Sequence, residues 1–261
     1  MAEQPILFVS HGAPTLPFDD IPARRFLVEL GQSLPTPDAI VAISAHWEDR
    51  PARIGAAAAP ETIHDFHGFP SALYETRYGA PGAPDLAASV CADLTQAGIA
   101  CVPDAVRGRD HGVWNPLMLL FPHAHVPVIQ LSLIASEGPA AHYAVGEALS
   151  ALPRRNILLL ASGGAVHNLR AVQWQGGATP DWARTFDDWL ADKIGAGAAE
   201  DLLAYRAQAP HAVLAHPSEE HLLPLFCALG AAQGHPGRTL HRSFALGSLS
   251  MSAFCWDAPL A

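Results

Sequence analysis

Ile6-Leu7-Phe8-Val9-Ser10-His11-Gly12-Ala13-Pro14 decides the reading of this chain. The run Pro5 to Val9 is apolar without alternation, which suits a strand covered on both faces in the middle of a layered α/β sheet. The apolar run then gives way to an imidazole followed by Gly and Pro. That places His11 at the carboxyl end of a central strand, where such sheets open their ligand crevice.

Working outward, similar runs recur at Ala39 to Ser44, Val126 to Leu133 and Asn156 to Ala161. Helical patterns lie between and beyond them at Ala23 to Gln32, Asp85 to Ala97, Val113 to Phe121, Pro139 to Leu152, Trp182 to Ile194 and Glu219 to Leu229, several opened by Pro or Asp. Strands alternating with helices predict an α/β fold of three layers, a central sheet flanked by helices. Thr239 to Trp256 reads as one or two further strands with Gly247 at a turn or bulge, pairing antiparallel at an edge, so the sheet is expected to be mixed. No linker divides residues 1–261, and one domain is expected. Pro60 to Pro84, rich in Gly, Pro and aromatics, reads as a long functional loop over a site.

Composition narrows the function. Half of the 261 residues are apolar and 15% are charged, enough for a large core. A formal net charge of −10 without a Lys/Arg run argues against nucleic acid and anionic membrane partners. No apolar stretch of spanning length and no basic leader is seen, so a cytoplasmic protein is expected. Cys91, Cys101, Cys227 and Cys255 form no Cys-x-x-Cys pair and are expected to be reduced and buried.

The fourteen histidines carry the chemistry. His46 follows Ile40-Val41-Ala42-Ile43-Ser44-Ala45 as His11 follows its strand, and His167 lies beyond Ile157-Leu158-Leu159-Leu160-Ala161 across Ser162-Gly163-Gly164-Ala165-Val166. Three strands delivering imidazoles to one edge suit a mononuclear metal, since neutral imidazole binds Fe, Zn, Cu or Ni. A fourth candidate, His221, is expected in the first turns of a helix opened by Glu219 and Glu220. Either glutamate could instead supply a carboxylate ligand, giving a set of two histidines and one carboxylate.

These residues resemble a family. Ser10-His11-Gly12-Ala13-Pro14, Ser44-Ala45-His46-Trp47, Ile63-His64-Asp65-Phe66-His67-Gly68-Phe69-Pro70, Asp110-His111-Gly112-Val113-Trp114, Gly164-Ala165-Val166-His167-Asn168-Leu169 and Glu220-His221-Leu222-Leu223-Pro224-Leu225 are similar, in order, to the class III extradiol ring-cleavage dioxygenases of the LigB-like superfamily, within it to the DOPA 4,5-dioxygenase-like branch. The resemblance implies metal ligands His11, His46 and His221, an acid/base His167 that approaches the metal, and His111 facing the substrate. Protocatechuate-type members use a carboxylate where this chain has His221. It also implies Fe(II) as the working metal, with Zn(II) a plausible occupant of three histidines, and a small catechol and O2 as substrates. Oligomeric state, monomer or homodimer, stays open.

Fe(II) with three protein ligands leaves positions for two catechol oxygens and dioxygen, and passes electron density between them. His167 is expected to take a catechol proton and later return one, which favours a pKa near operating pH. His64, Phe69, Tyr74 and Trp114, with Phe66 and Tyr78, are expected to contact the substrate, partly as a flat apolar wall. Arg77, Arg107 and Arg109 lie near the right loops, without a clear assignment to a substrate carboxylate. The rivals are a zinc-dependent hydrolase, for which no His-Glu-x-x-His is present, and a non-catalytic metal-binding module on the same fold. Serine hydrolases and dinucleotide enzymes lack their signatures here: Gly247-Ser248-Leu249-Ser250 has the wrong spacing, and Ser10 to Pro14 is no Gly-x-Gly-x-x-Gly.

Overall fold

A computed structural model describes residues 3–256; the outermost residues of the expected 1–261 domain lie outside that range. Along the chain run β1 (Ile6–Ser10), α1 (Pro22–Ser33), β2 (Ala39–Asp49), β3 (Ala52–Gly55), α2 (Pro84–Gln96), β4 (Cys101–Asp104), α3 (His111–Leu120), β5 (Val128–Ile134), α4 (Pro139–Leu149), β6 (Ile157–Gly163) and α5 (Asp181–Ala196). Three short helices, α6 (Ala199–Leu203), α7 (Tyr205–Gln208) and α8 (Ala212–Ala215), precede α9 (Leu223–Ala231). The strands β7 (Arg238–His241), β8 (Phe244–Ala245), β9 (Leu249–Ser250) and β10 (Ala253–Trp256) follow.

Eight strands form one mixed sheet in the order β4-β3-β5-β2-β6-β1-β10-β7. The four central strands β5, β2, β6 and β1 are mutually parallel, and each is nearly continuous in apolar residues because helices cover both faces. Alternate side chains feed two cores. Phe8, Val41 and Leu159 pack with α2, α4, α5 and α9; Leu7, Val9, Ile40 and Leu158 pack with α1 and α3. Each such side chain contributes roughly 1.5–3 kcal/mol by leaving water, so the strands that carry the site are the hardest part of the molecule to displace.

The C-terminal strands pair antiparallel as expected, β10 on β1 and β7 on β10, and Gly247 (φ +81°) turns the chain between β8 and β9. Three details differ from expectation. β3 and β4 have no counterpart in the sequence reading: each is four residues long, β3 alternating buried and half-buried residues and β4 without a buried one, too short to carry a periodic signal. β2 runs on to Asp49. Helix α9 starts at Leu223 rather than Glu219, with Pro224 in its first turn, so His221 sits in the turn before the helix instead of within it. The two glutamates are engaged elsewhere, Glu219 accepting from the Tyr205 hydroxyl (2.7 Å) and Glu220 facing His221. No described helix is long and apolar enough to cross a membrane.

Candidate metal centre

Five elements bring histidines to one sheet edge. His11 follows β1, and Gly12 (φ +62°) turns the chain there, where a Cβ would come within 2.8 Å of the Met251 side chain. His46 sits in a bulge of β2: Ile43 pairs with Leu131 and Glu48 with Leu133, so β2 advances five residues while β5 advances two. The surplus chain swings His46 out of the ladder and over the edge, a common use of bulges beside active sites. His111 is the first residue of α3, and the preceding Asp110, fully buried, takes hydrogen bonds from Ser44 Oγ (2.7 Å) and the Gln130 amide. His167 lies in the loop after β6, its backbone N–H donating to Ala215 O (3.0 Å). His221 precedes α9; its carbonyl accepts from Gly164 N (2.8 Å) and would stand 2.1 Å from any Cβ at Gly163.

The hydrogen-bond partners settle which nitrogen each ring presents. Ser162 Oγ gives its proton to Gly112 O, so it must accept from His11 Nδ1, 3.1 Å away. His46 Nδ1 faces Asp65 Oδ2 (3.3 Å) and His221 Nδ1 faces Glu220 Oε1 (3.0 Å), and a carboxylate only accepts. All three rings therefore hold their proton on Nδ1 and offer the Nε2 lone pair. His11 Nε2 and His46 Nε2 lie 3.0 Å apart. Two lone pairs at that distance repel unless a cation lies between them, so this donor set fits a metal ion. Ligand atoms of His11, His46 and His221 lie within 4.8 Å of one another. The ordering of metal-binding rings by carboxylates and hydroxyls behind them is the usual support of such a site.

Asp65 supports two rings at once. Its Oδ1 accepts from His111 Nδ1 (2.9 Å) and from the His111 backbone N–H (3.0 Å), while Oδ2 faces His46. Burial pushes its carboxyl up, but the His111 hydrogen bonds and the two nearby imidazoles outweigh this and hold it at about 2. The imidazoles go the other way. Burial, then the neighbouring His46, His111 and His221, hold His11 well below its ordinary value. Burial and His167 do the same to His221, and burial and His111 lower His46 to about 4. Burial, with His216 behind it, takes His167 to about 3, well under the near-neutral value expected for an acid/base. At neutral pH these four rings are neutral, the form that binds a metal.

The histidines open into a cavity of about 240 Å³. The structure gathers His11, His46, His111, His167 and His221 in its wall, with Phe69 and Phe66 on the loop side. It does not place His64, Tyr74 or Trp114 there. They stand one layer back: His64 Nε2 meets Thr76 O (3.0 Å), Tyr74 packs on Phe66, and the buried Trp114 donates to Ile63 O (2.9 Å). Tyr78 is buried with its hydroxyl on Phe121 O. Residues that sequence reasoning missed are Asp65, Ser162 and the far wall of Trp174, Leu246 and Leu249. The motif around His64 to Pro70 contained Asp65 without marking it, and nothing in the sequence signalled that the C-terminal turn reaches the site.

Comparisons with known proteins show what the whole chain resembles. The 4,5-DOPA dioxygenase extradiol of Escherichia coli K12 is 40% identical over 252 residues, covering 95% of this chain and 92% of its own. That of Beta vulgaris is 37% identical over 252 residues, covering 95% and 94%. The crystal structure of an uncharacterized Escherichia coli K12 protein superposes with a TM-score of 0.82 at 35% identity, over 97% of this chain and all of that one. The model of the family described as the catalytic LigB subunit of aromatic ring-opening dioxygenase matches residues 6–253, and the chain belongs to that family.

Proposed function

We propose that this extradiol dioxygenase opens the ring of a small catechol, DOPA or a relative of it, at a ferrous ion held by His11, His46 and His221. The observation that carries the reading is the convergence of three Nε2 lone pairs, each fixed by a partner on Nδ1. The relatives named 4,5-DOPA dioxygenase extradiol support the substrate class. When bound, ferrous iron holds catechol and dioxygen together and passes electron density between them, which zinc on the same ligands does not do.

The chain's own residues do the rest. His167 is neutral and stacks on His221 at 3.4 Å between ring centres, placed to take a hydroxyl proton as the ring binds. The low proton affinity that burial gives it works against the first transfer and favours the return of the proton. His111, its Nδ1 proton held by Asp65, offers Nε2 as an acceptor for a second hydroxyl. Phe66 and Phe69 form apolar wall against which an aromatic ring packs. The free thiols Cys91, Cys101 and Cys227 support a reducing, cytoplasmic setting.

The test is oxygen consumption after anaerobic loading with Fe(II), on a panel of catechols, beside a zinc-loaded control. Uptake with iron and not zinc, with a yellow ring-opened product, is expected. Silence across the panel with iron bound would favour a hydrolytic or purely binding role.

A further inference from the structure

No side-chain hydrogen bond fixes the His167 ring among the described residues; it stacks on His221 and faces the cavity. Its place is therefore set by the backbone that carries it, residues 164–168 beyond the end of β6. That stretch is tied at both ends. Gly164 N–H donates to His221 O (2.8 Å), His167 N–H to Ala215 O (3.0 Å), and the Asn168 amide to Leu214 O (2.7 Å). Between these ties lies the carbonyl of Ala165, a residue with no exposed surface. Among the described residues no backbone N–H bonds to it, and its one donor is His216 Nε2, 3.0 Å away.

His216 ends the short helix α8 and is fully buried against Phe186 and Tyr205. A carbonyl only accepts, so the ring carries its proton on Nε2. Nδ1 is left without a partner among the described residues. A buried ring with one nitrogen unsatisfied is a poor core side chain, and an aliphatic one would pack there without that cost. What the imidazole gives in return is the proton on Ala165 O. Its own backbone is held in turn, because Arg206 Nη1 donates to His216 O (2.7 Å) and Arg206 Nε pairs with Glu219 (3.2 Å).

We propose that His216 is a positioning residue for His167: its Nε2–H fixes the Ala165 peptide and, through it, the loop that aims the His167 ring into the cavity. The inference rests on the acid/base role proposed for His167 above. Without that donor the buried carbonyl is left unsatisfied, and the peptide turns to find another partner. His167 lies two residues on, and a proton-transferring ring displaced by 1 Å can lose about 100-fold in rate. His11 and His46 hang from β1 and β2, and His221 is held by Glu220 and by Gly164, so the metal ligands proposed above do not depend on this bond.

Two variants separate the bond from the bulk. His216→Gln places an N–H where Nε2 stood, whereas His216→Met fills a similar space with no donor. With iron and catechol, His216→Met should lower kcat roughly 10–100-fold with KM within about twofold of the wild type, and His216→Gln should recover most of the loss. Metal content should stay the same in both. A readout independent of turnover uses zinc-loaded protein with isotope-labelled histidine. The His167 ring signals, identified by their loss in His167→Ala, should move in His216→Met and return in His216→Gln, while those of His11 and His46 stay. Asn168→Ala cuts the neighbouring tie to Leu214 without entering the core around Phe186; it should act as His216→Met does, and it carries the test if His216→Met fails to fold. Unmoved His167 signals, an equal loss in His216→Gln, or a loss of metal matching the loss of rate would each overturn the proposal. If the signals moved and returned while His167→Ala kept its turnover, or while no catechol was consumed by any form, the placement by His216 would stand and the acid/base reading would fall.

Discussion

Asp65 shows how much one side chain can organise. It holds the Nδ1 proton of both His46 and His111, the first proposed above as a metal ligand and the second as facing the substrate. Asp65→Asn keeps the size but turns one arm into a donor aimed at His46 Nδ1–H. Metal affinity and turnover should each fall about 10–100-fold, the usual effect of losing such support, while the protein stays folded. Chelator competition, oxygen uptake and circular dichroism measure the three, and undiminished metal binding would refute the role. His167→Ala should abolish turnover with the metal still bound by analysis of metal content; loss of metal would make His167 a ligand. The histidines were legible in the sequence because imidazoles at strand ends belong to few chemistries. Asp65 was not, since an acid in a Gly/Pro-rich loop is ordinary. His64, Tyr74 and Trp114 lie outside the cavity lining because loop packing, not loop composition, decides which aromatic faces it.

Elements place these side chains by close backbone approach. The crossing of β6 against the turn before α9 leaves no room for a Cβ at Gly163. Gly163→Ala should therefore cost about 1–3 kcal/mol of stability, as overpacking does, and also lower metal content by moving His221. Gly195, late in α5 with nothing within 4 Å of its Cβ position, is the matched control. Gly195→Ala should leave metal content unchanged and raise stability by about 0.5–1 kcal/mol. Thermal melts with metal analysis separate the two, and equal effects would contradict the packing argument. The central strands were readable because burial on both faces removes alternation. The β2 bulge was not, for a bulge is a relation between two strands and neither sequence alone contains it. The start of α9 was misplaced for a similar reason: Glu219 and Glu220 look like helix-opening acids until Tyr205 and His221 are brought to them.

Across the whole molecule, buried neutral imidazoles couple folding to pH. His46 and His216 are lowered to about 4 and His167 to about 3, burial being the main cause. An unfolded chain protonates them near 6.5. Between those values the unfolded state binds more protons, so stability of the metal-free protein is fully present above about pH 6.5 and is lost as pH falls toward about 4. Urea unfolding of metal-free protein at pH 7.5 and 5 should show a lower midpoint at pH 5. Added zinc should raise the midpoint strongly at pH 7.5 and weakly at pH 5, because protons compete for the same lone pairs. A pH-independent midpoint would contradict the neutral cluster. The layered fold was visible in the order of strands and helices; the full lining of the histidine cavity was not, because its walls come from chain segments far apart in sequence. That separation also governs how the site comes into being. His11, His46 and His221 are far apart in sequence, and none is a ligand set alone. A growing polypeptide therefore lacks the proposed three-histidine set until His221 has been made and the strand it packs against, β6, has closed on β1. On the proposed ligand set, loading is expected to follow the docking of the turn that carries His221 against β6, and to compete then with whatever ion the finished pocket meets first.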